Sequence, residues 1–359
     1  MKNSNQNAFV KIFNGPDRPL QSETWPLPET VGAGEVLVEI ALATICGSDL
    51  HTLSGQRQVA TPTILGHEAV GRIVKVGSMR EELAPGDRVT WSIADSCGTC
   101  PACTEHKLPQ KCQSLFKYGH APNSDGTGFN GCYASHIVLR QGTHIVKLPD
   151  SLSDRVVAPA NCALATVLNA VSRFPDSCQS VLIQGAGLLG LYACALLHER
   201  GVEHVFCVDI QEQRLAQIER FGGILIDGRA EHYPQSREKI LAAAEYGVDA
   251  VLEVAGVAAL VPEGIRLLRP GGYYGFVGMV HPNSQLALTG EQIIRKCLTL
   301  YGIHNYAPWH LEQAVQFLQS SIDKYPYESL VSAPFPLAKL EDAVKMAQTQ
   351  EWCRVSVRA

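Results

Sequence analysis

The sequence has no long hydrophobic run. Nowhere do about eighteen apolar residues follow one another, which excludes a membrane-spanning helix. It has no Lys/Arg-rich run either. Thirty Lys and Arg against 35 Asp and Glu leave a formal charge of -5, so binding to nucleic acid or a membrane surface has no electrostatic footprint. Met1 to Phe13 lacks a cationic segment followed by an apolar stretch, so no signal peptide is expected and the chain reads as cytoplasmic. No P-loop signature, internal repeat or low-complexity segment occurs, and phosphoryl transfer has no support. What is present is a globular composition, 46% hydrophobic, over 359 residues, enough for about two domains.

The first 150 residues carry short β-type runs such as Val36–Ile40 and Gly71–Val76, separated by turn signals such as Pro85-Gly86-Asp87. That spacing predicts a largely antiparallel, barrel-like domain. From about residue 155 the texture changes to strand, helix, strand: Ser180 to Gln184, Leu188 to Arg200, His204 to Asp209, then Asp249 to Ala255 and Tyr273 to Val277. This interval predicts parallel βαβ units. Helices over Trp309 to Ser320 and Leu337 to Thr349 close the chain.

Twelve cysteines without a secretion signal point to metal binding or catalysis rather than a disulfide framework. Cys97, Cys100, Cys103 and Cys112 offer four thiolates in one loop, which saturates a tetrahedral zinc and makes such a site structural. A ferredoxin-type cluster would need a cysteine where Lys107 stands. Cys46, His67 and Cys162 lie far apart in sequence. Each has an ordinary reading as a small buried residue or a hydrogen-bonded core histidine; together they offer three ligands and an open fourth position, as a catalytic zinc requires. His67-Glu68 is not a metalloprotease motif, because Gly71 stands where the second histidine belongs.

The strand ending at Gln184 runs into Gly185-Ala186-Gly187-Leu188-Leu189-Gly190 and then a helix. This order places a pyrophosphate at a helix N-terminus. Asp209, nineteen residues after Gly190, closes the next strand. There it either accepts the adenosine ribose hydroxyls, favouring NAD over NADP, or is an ordinary strand-end residue. Arg214 is a second ribose contact or an exposed helix arginine. Val277 and Gly278 join the cofactor-binding set. Gly272, Gly275 and Gly278 mark close approach to the cofactor or tight turns.

Over nearly its full length the chain resembles the zinc-dependent medium-chain dehydrogenase/reductase family, the alcohol and sorbitol dehydrogenases. The resemblance lies in Cys46-Gly47-Ser48-Asp49-Leu50-His51, Gly66-His67-Glu68-Ala69-Val70-Gly71, Gly86-Asp87-Arg88-Val89, the four-cysteine lobe and the glycine motif, all in the family's order. It implies an α/β protein: a GroES-like β-barrel catalytic domain (1–162 and 304–359, with a zinc lobe at about 95–113) around a Rossmann NAD-binding domain with a doubly wound parallel sheet (163–303). It also implies one catalytic and one structural zinc per chain, NAD, and a homodimer or homotetramer. By position Cys46, His67 and Cys162 match the catalytic zinc ligands. The Cys103–Cys112 spacing is one residue longer than usual. Ala158–Thr166, Leu108–Cys112 and Gly302–Leu311 are similar to a subgroup called phosphonate-catabolism-associated alcohol dehydrogenases, a name that rests on gene neighbourhood.

The implied reaction is reversible oxidation of an alcohol to an aldehyde or ketone. Ser48 matches the family's proton-accepting hydroxyl, and His51 carries the proton to solvent. Asp49 orients His67. Glu68 is a transient zinc ligand or the partner of a structural arginine. A phosphonate substrate would require a cation, with Arg57, Lys117, His120 and His304 as candidates by position. The rivals are a general secondary-alcohol or polyol dehydrogenase, a zinc-free quinone or enoyl reductase, and a non-catalytic NAD-sensing protein.

Overall fold

A computed structural model of the chain describes residues 7–280 and 284–359. The first six residues, on which the signal-peptide reading partly rests, lie outside that range. Among the described residues no helix is long and apolar enough to cross a membrane. The chain divides into two compact units. One comprises the chain up to Cys162, Tyr306–Ile322 and Tyr327–Ala359; the other comprises Ala163–Asn305 and Asp323–Pro326.

The first unit is built around the strand Val36–Ile45, whose near-continuous apolar sequence leaves most of its residues buried. Glu68–Val76 pairs antiparallel along one of its edges. Two shorter strands share the other edge: His136–Leu139 beside Val36–Glu39, and Val355–Arg358 beside Ala43–Ile45. Arg88–Trp91 and Ile145–Lys147 extend the sheet beyond Glu68–Val76, and Phe335–Pro336 pairs with Val355–Arg358 to make seven strands. A three-stranded antiparallel sheet of Gln21–Pro26, Asn7–Phe13 and Thr63–Ile64 adds its apolar residues to the same core, with Trp91, Tyr118 and Tyr133 at its centre.

The second unit carries a six-stranded parallel sheet in the spatial order Ile224–Asp227, His204–Asp209, Ser180–Gln184, Val248–Glu253, Leu268–Phe276, Thr299–Gly302. In chain order this is 3-2-1-4-5-6, the doubly wound arrangement, which opens a ligand crevice where the order reverses beside the first strand. The edge strand Thr299–Gly302 carries this unit past residue 303, and Asn169 Nδ2 donates to the Asn305 carbonyl at 2.9 Å. Residues 304 and 305 therefore group here and not with the first unit, as the sequence reading had placed them. Residues 323–326 move likewise: Lys324 Nζ and the Tyr325 hydroxyl bind Glu199 at 2.5 and 2.9 Å.

The turn after Ser180–Gln184 depends on glycine. Gly185 has φ +111°, a conformation side chains disfavour. A Cβ on Gly190 would lie 1.9 Å from the Gly185 carbonyl oxygen. Gly190→Ala is therefore expected to lower stability by about 1–3 kcal/mol, because backbone has to move. It should also weaken NADH binding, and thermal melts with fluorescence titration check both.

Candidate active site

Three strand ends meet in the first unit. Val36–Ile45 ends at Cys46, Glu68–Val76 begins just after His67, and Val355–Arg358 begins just after Arg354. The register fixes their meeting, with Thr44 opposite Glu68 and Ile45 opposite Val355. Cys162 arrives from a π-helical turn over Ala160–Leu164, a type of irregularity common at functional sites. One ligand atom each from Cys46, His67, Glu68 and Cys162 lies within 4.8 Å of the others.

The surrounding bonds explain the placement. The Cys46 amide donates to Asp49 Oδ2 at 2.9 Å, and the Tyr133 hydroxyl donates to the same oxygen at 3.0 Å. The other oxygen, Asp49 Oδ1, lies 3.3 Å from His67 Nδ1. This leaves Nε2 as the nitrogen that can ligate a metal, with Ser48 Oγ 3.4 Å from it. Burial lowers the His67 pKa, but Asp49 and then Cys46 outweigh it and carry it up to about 10. Asn161 Nδ2 donates to the His67 and Trp91 carbonyls, both at 3.0 Å, and the Tyr306 hydroxyl caps the Asn161 carbonyl. The residue before Cys162 is thereby tied to the strand carrying His67.

Glu68 forms the ion pair that one of its two readings expects, while its carboxylate stays within 4.8 Å of the cysteine and histidine ligand atoms. Arg354 grips it with Nε at 2.8 Å and Nη2 at 3.0 Å, and Thr44 Oγ1 donates at 2.6 Å. Burial pushes the Glu68 carboxyl up to about 7, against the pull of Arg354. Arg354 Nη2 also lies 3.6 Å from Cys46 Sγ. Together with a hydrogen bond from Cys162, which is the larger influence, it holds the Cys46 thiol well below its ordinary value. Sequence reasoning missed Arg354, Tyr133 and Tyr306. Nothing local marks them, since Arg354 stands 286 residues from Glu68.

His51 lies half-buried in the helix Gly47–Leu53, with Nδ1 2.7 Å from Gln56 Oε1. Lys117, Arg57 and His120 all belong to this unit. The charge of Lys117 interacts with Arg57, Cys162, Cys46 and Asp49. His304 is exposed and belongs to the second unit.

The four-cysteine loop closes on itself, with Sγ atoms also within 4.8 Å of one another. Backbone amides of Cys97, Cys100 and Ser114 donate to its sulfurs at 3.2–3.4 Å, a setting that suits thiolates. Hydrogen bonds from Thr99, foremost its hydroxyl, bring Cys97 down to about 6. A 3-10 turn, Pro109–Lys111, leads directly into Cys112.

In the second unit Gly187 caps the helix Leu188–Glu199, and a Cβ there would meet nothing within 4 Å, which leaves its amide approachable by a phosphate. Leu188 is buried and Leu189 half-buried behind it. Asp209 Oδ2 accepts from the Ala186 amide at 2.8 Å, and its Oδ1 accepts from Ile210 and Gln211. Arg214 lies 3.7 Å from Asp209. The Val277 amide bonds to the Glu253 carbonyl at 3.0 Å. A Cβ on Gly278 would lie 2.4 Å from the Gly256 amide, so two loops touch at the carboxyl end of the sheet. Gly275 instead packs on Tyr301, and Gly272 on Leu268.

Comparison with known proteins agrees with this geometry. Residues 32–150 match the alcohol dehydrogenase GroES-like domain, and residues 189–320 match the zinc-binding dehydrogenase domain. An alcohol dehydrogenase structure from Thermotoga maritima superposes with a TM-score of 0.92 at 30% identity, covering 98% of this chain and 99% of that one. The chain belongs to the zinc-dependent medium-chain alcohol dehydrogenase family. It is 29% identical to 5-exo-hydroxycamphor dehydrogenase of Pseudomonas putida, over 91% of this chain and 92% of that protein. It is also 29% identical to L-threonine 3-dehydrogenase of Coxiella burnetii, over 94% of each. As a member of this family it is an enzyme that uses zinc and a nicotinamide dinucleotide.

Both cysteine clusters fit zinc by the chemistry of their donors, one with four thiolates and the other with two thiolates, an imidazole and room for a fourth ligand. Metal analysis should find about two zinc ions per chain. Cys162→Ser should lose one zinc and all turnover while keeping the fold; Cys103→Ser should lose the other zinc together with thermal stability. Asp49→Asn should weaken zinc retention against a chelator by roughly 10–100-fold. Equal zinc loss and unfolding in both cysteine variants would contradict the division into an open and a closed site.

Proposed function

We propose that the enzyme reversibly oxidises the hydroxyl of a hydroxyalkylphosphonate to the carbonyl, with NAD as hydride acceptor. The carrying observation for the chemistry is the buried set of Cys46, His67 and Cys162, with the Ser48 hydroxyl 3.4 Å from His67 Nε2. Cys46, His67 Nε2 and Cys162 would hold the zinc. When bound there, zinc supplies a Lewis acid that favours the alkoxide form of the alcohol.

The chain's own groups do the rest. Ser48 accepts the proton of the alcohol as it passes its own to His51, which lies three residues on and on the same face of the helix Gly47–Leu53. The His51 imidazole then releases the proton to water. Asp49 holds His67 with Nε2 toward the reacting centre. Arg354 holds the neighbouring Glu68 in an ion pair. NAD, which the turn Gly185–Gly190 and Asp209 would hold, would supply the hydride acceptor. Asp209 supports NAD over NADP, because a carboxylate at that position repels a 2′-phosphate.

The phosphonate part of the proposal is supported by the subgroup resemblance and by cations near the site. Twelve cysteines without a disulfide suit the reducing cytoplasm. Association into a homodimer or homotetramer is part of the same proposal. The edge strand Thr299–Gly302 and the exposed Ile294 give the second unit a surface for a second copy.

The test is NADH formation by the purified, zinc-loaded enzyme. Hydroxyalkylphosphonates are compared with neutral alcohols of the same carbon skeleton. A preference of roughly a hundredfold for the phosphonate is expected, equivalent to about 2.7 kcal/mol. Ser48→Ala should lower kcat roughly a hundredfold or more. Equal turnover of matched pairs would leave a general secondary-alcohol or polyol dehydrogenase. No turnover with NAD bound would leave an NAD-sensing protein.

A further inference from the structure

The segment after Asp95 returns past the metal ligands in a constrained way. Asp95 and Phe116 bond to each other twice, through the amide of each at 2.9 and 2.8 Å, and Ala94 and Lys117 form a β-bridge. In such a pairing, alternate side chains face opposite ways. Phe116 and Tyr118 are buried in the apolar core, so Lys117 points away from it. The half-buried ammonium accordingly interacts with Cys162, Cys46 and Asp49. Gly119, at φ +72°, then turns the chain tightly against Gly66, where a Cβ would lie 2.5 Å from the Gly66 carbonyl oxygen. This brings the His120 ring to 5.4 Å from the His67 ring. His120 Nδ1 is 2.9 Å from the Tyr118 carbonyl, so it donates there, and with burial favouring the neutral ring Nε2 is left as an acceptor for a ligand O–H. Arg57, half-buried, is anchored by its amide to the His51 carbonyl at 3.0 Å and acts electrostatically on both Lys117 and His120.

We propose that Arg57, Lys117 and His120 form the subsite that takes a phosphoryl anion, phosphonate or phosphate monoester, on the alcohol substrate beside the metal ligands. This rests on the dehydrogenase reading above and names the residues that would give it a substrate class. With zinc bound, the two thiolates cancel the metal's charge and the His67 imidazole is neutral, as a ligand must be. Asp49 then opposes two cationic side chains, Arg57 and Lys117, and Glu68 is already matched by Arg354. The balance around the three residues is positive, and Arg57 makes no ion pair among the described residues. Gathering like charges on half-buried side chains costs free energy unless an anion offsets it. Burial and the nearby Arg57 bring Lys117 down to about 8, the direction such crowding requires. A phosphoryl group carries between one and two negative charges at neutral pH; its oxygens accept from the Arg57 guanidinium and the Lys117 ammonium, and the P–OH of its monoanion can donate to His120 Nε2. The 5.4 Å between the His67 and His120 rings requires a short substrate, with hydroxyl and anion a few bonds apart.

The experiment uses the zinc- and NAD-loaded enzyme with two independent readouts. The first is kcat/KM for a hydroxyalkylphosphonate, the corresponding phosphate monoester and the hydroxy acid, each divided by that of the neutral alcohol of the same skeleton. The second is calorimetric binding of ethylphosphonate, which has no hydroxyl to oxidise. Lys117→Met and Arg57→Gln should each lower the phosphonate ratio at least tenfold and weaken ethylphosphonate binding in step, with Lys117→Arg recovering part of both. NAD binding confirms that each variant is folded. A preference for phosphonate over phosphate monoester, or the reverse, identifies the source of the phosphoryl group within the proposal. Ratios and ethylphosphonate affinity unmoved by the substitutions would overturn it, as would a preference for the carboxylate. If the wild-type enzyme oxidises no alcohol, the dehydrogenase reading fails while ethylphosphonate binding still decides the subsite.

Discussion

Three strand ends, Ile45, Glu68 and Val355, are held side by side by antiparallel hydrogen bonding, and the reactive centre depends on that register. A slip of one residue between Val36–Ile45 and Glu68–Val76 would turn Glu68 to the opposite face and separate Cys46 from His67. The constraint is reinforced by buried ionic pairs. Glu68 and Arg354 neutralise one another where neither can be solvated, and Asp49 sits against His67 with two further donors on its other oxygen. Removing one member of such a pair strands a charge, so each partner constrains the other's strand.

The same centre shows how one element serves both structure and chemistry. Cys46 ends a core strand, starts the helix carrying Ser48 and His51, and receives an Arg354 contact that favours its thiolate. His67 reaches its position through Gly66, where a Cβ would lie 2.7 Å from the Tyr133 ring, and Tyr133 in turn bonds to Asp49. Asn161 binds the His67 carbonyl and holds the turn that delivers Cys162. The donors are therefore placed by backbone and buried polar groups. That is the preorganisation a rigid ligand set needs.

Much of this was legible in the sequence where the signal is local. The parallel strands Ser180–Gln184 and His204–Asp209 were readable from their apolar runs, and the phosphate-binding turn from three glycines between strand and helix. The four-cysteine loop was readable because its ligands are close together. The edge strand Thr299–Gly302 was not, since four half-exposed residues carry no alternation. Arg354 was invisible because its meaning comes only from pairing with Glu68 across the sheet. Arg57, Lys117 and His120 could be named from sequence only by position. Their convergence depends on a β-bridge at Ala94 and a left-handed glycine at 119, neither of which has a periodic signature.

If Cys46, His67 and Cys162 form an open metal site at which the alcohol is activated, cobalt(II) exchanged into the protein reports it directly, because its visible bands change when a ligand enters its coordination shell. Adding an alcohol substrate with a non-reducible NAD analogue should shift the cobalt bands, and Cys162→Ser should abolish the shift while the spectrum of the four-cysteine site persists. Bands that ignore the substrate in the wild-type protein would contradict the open site.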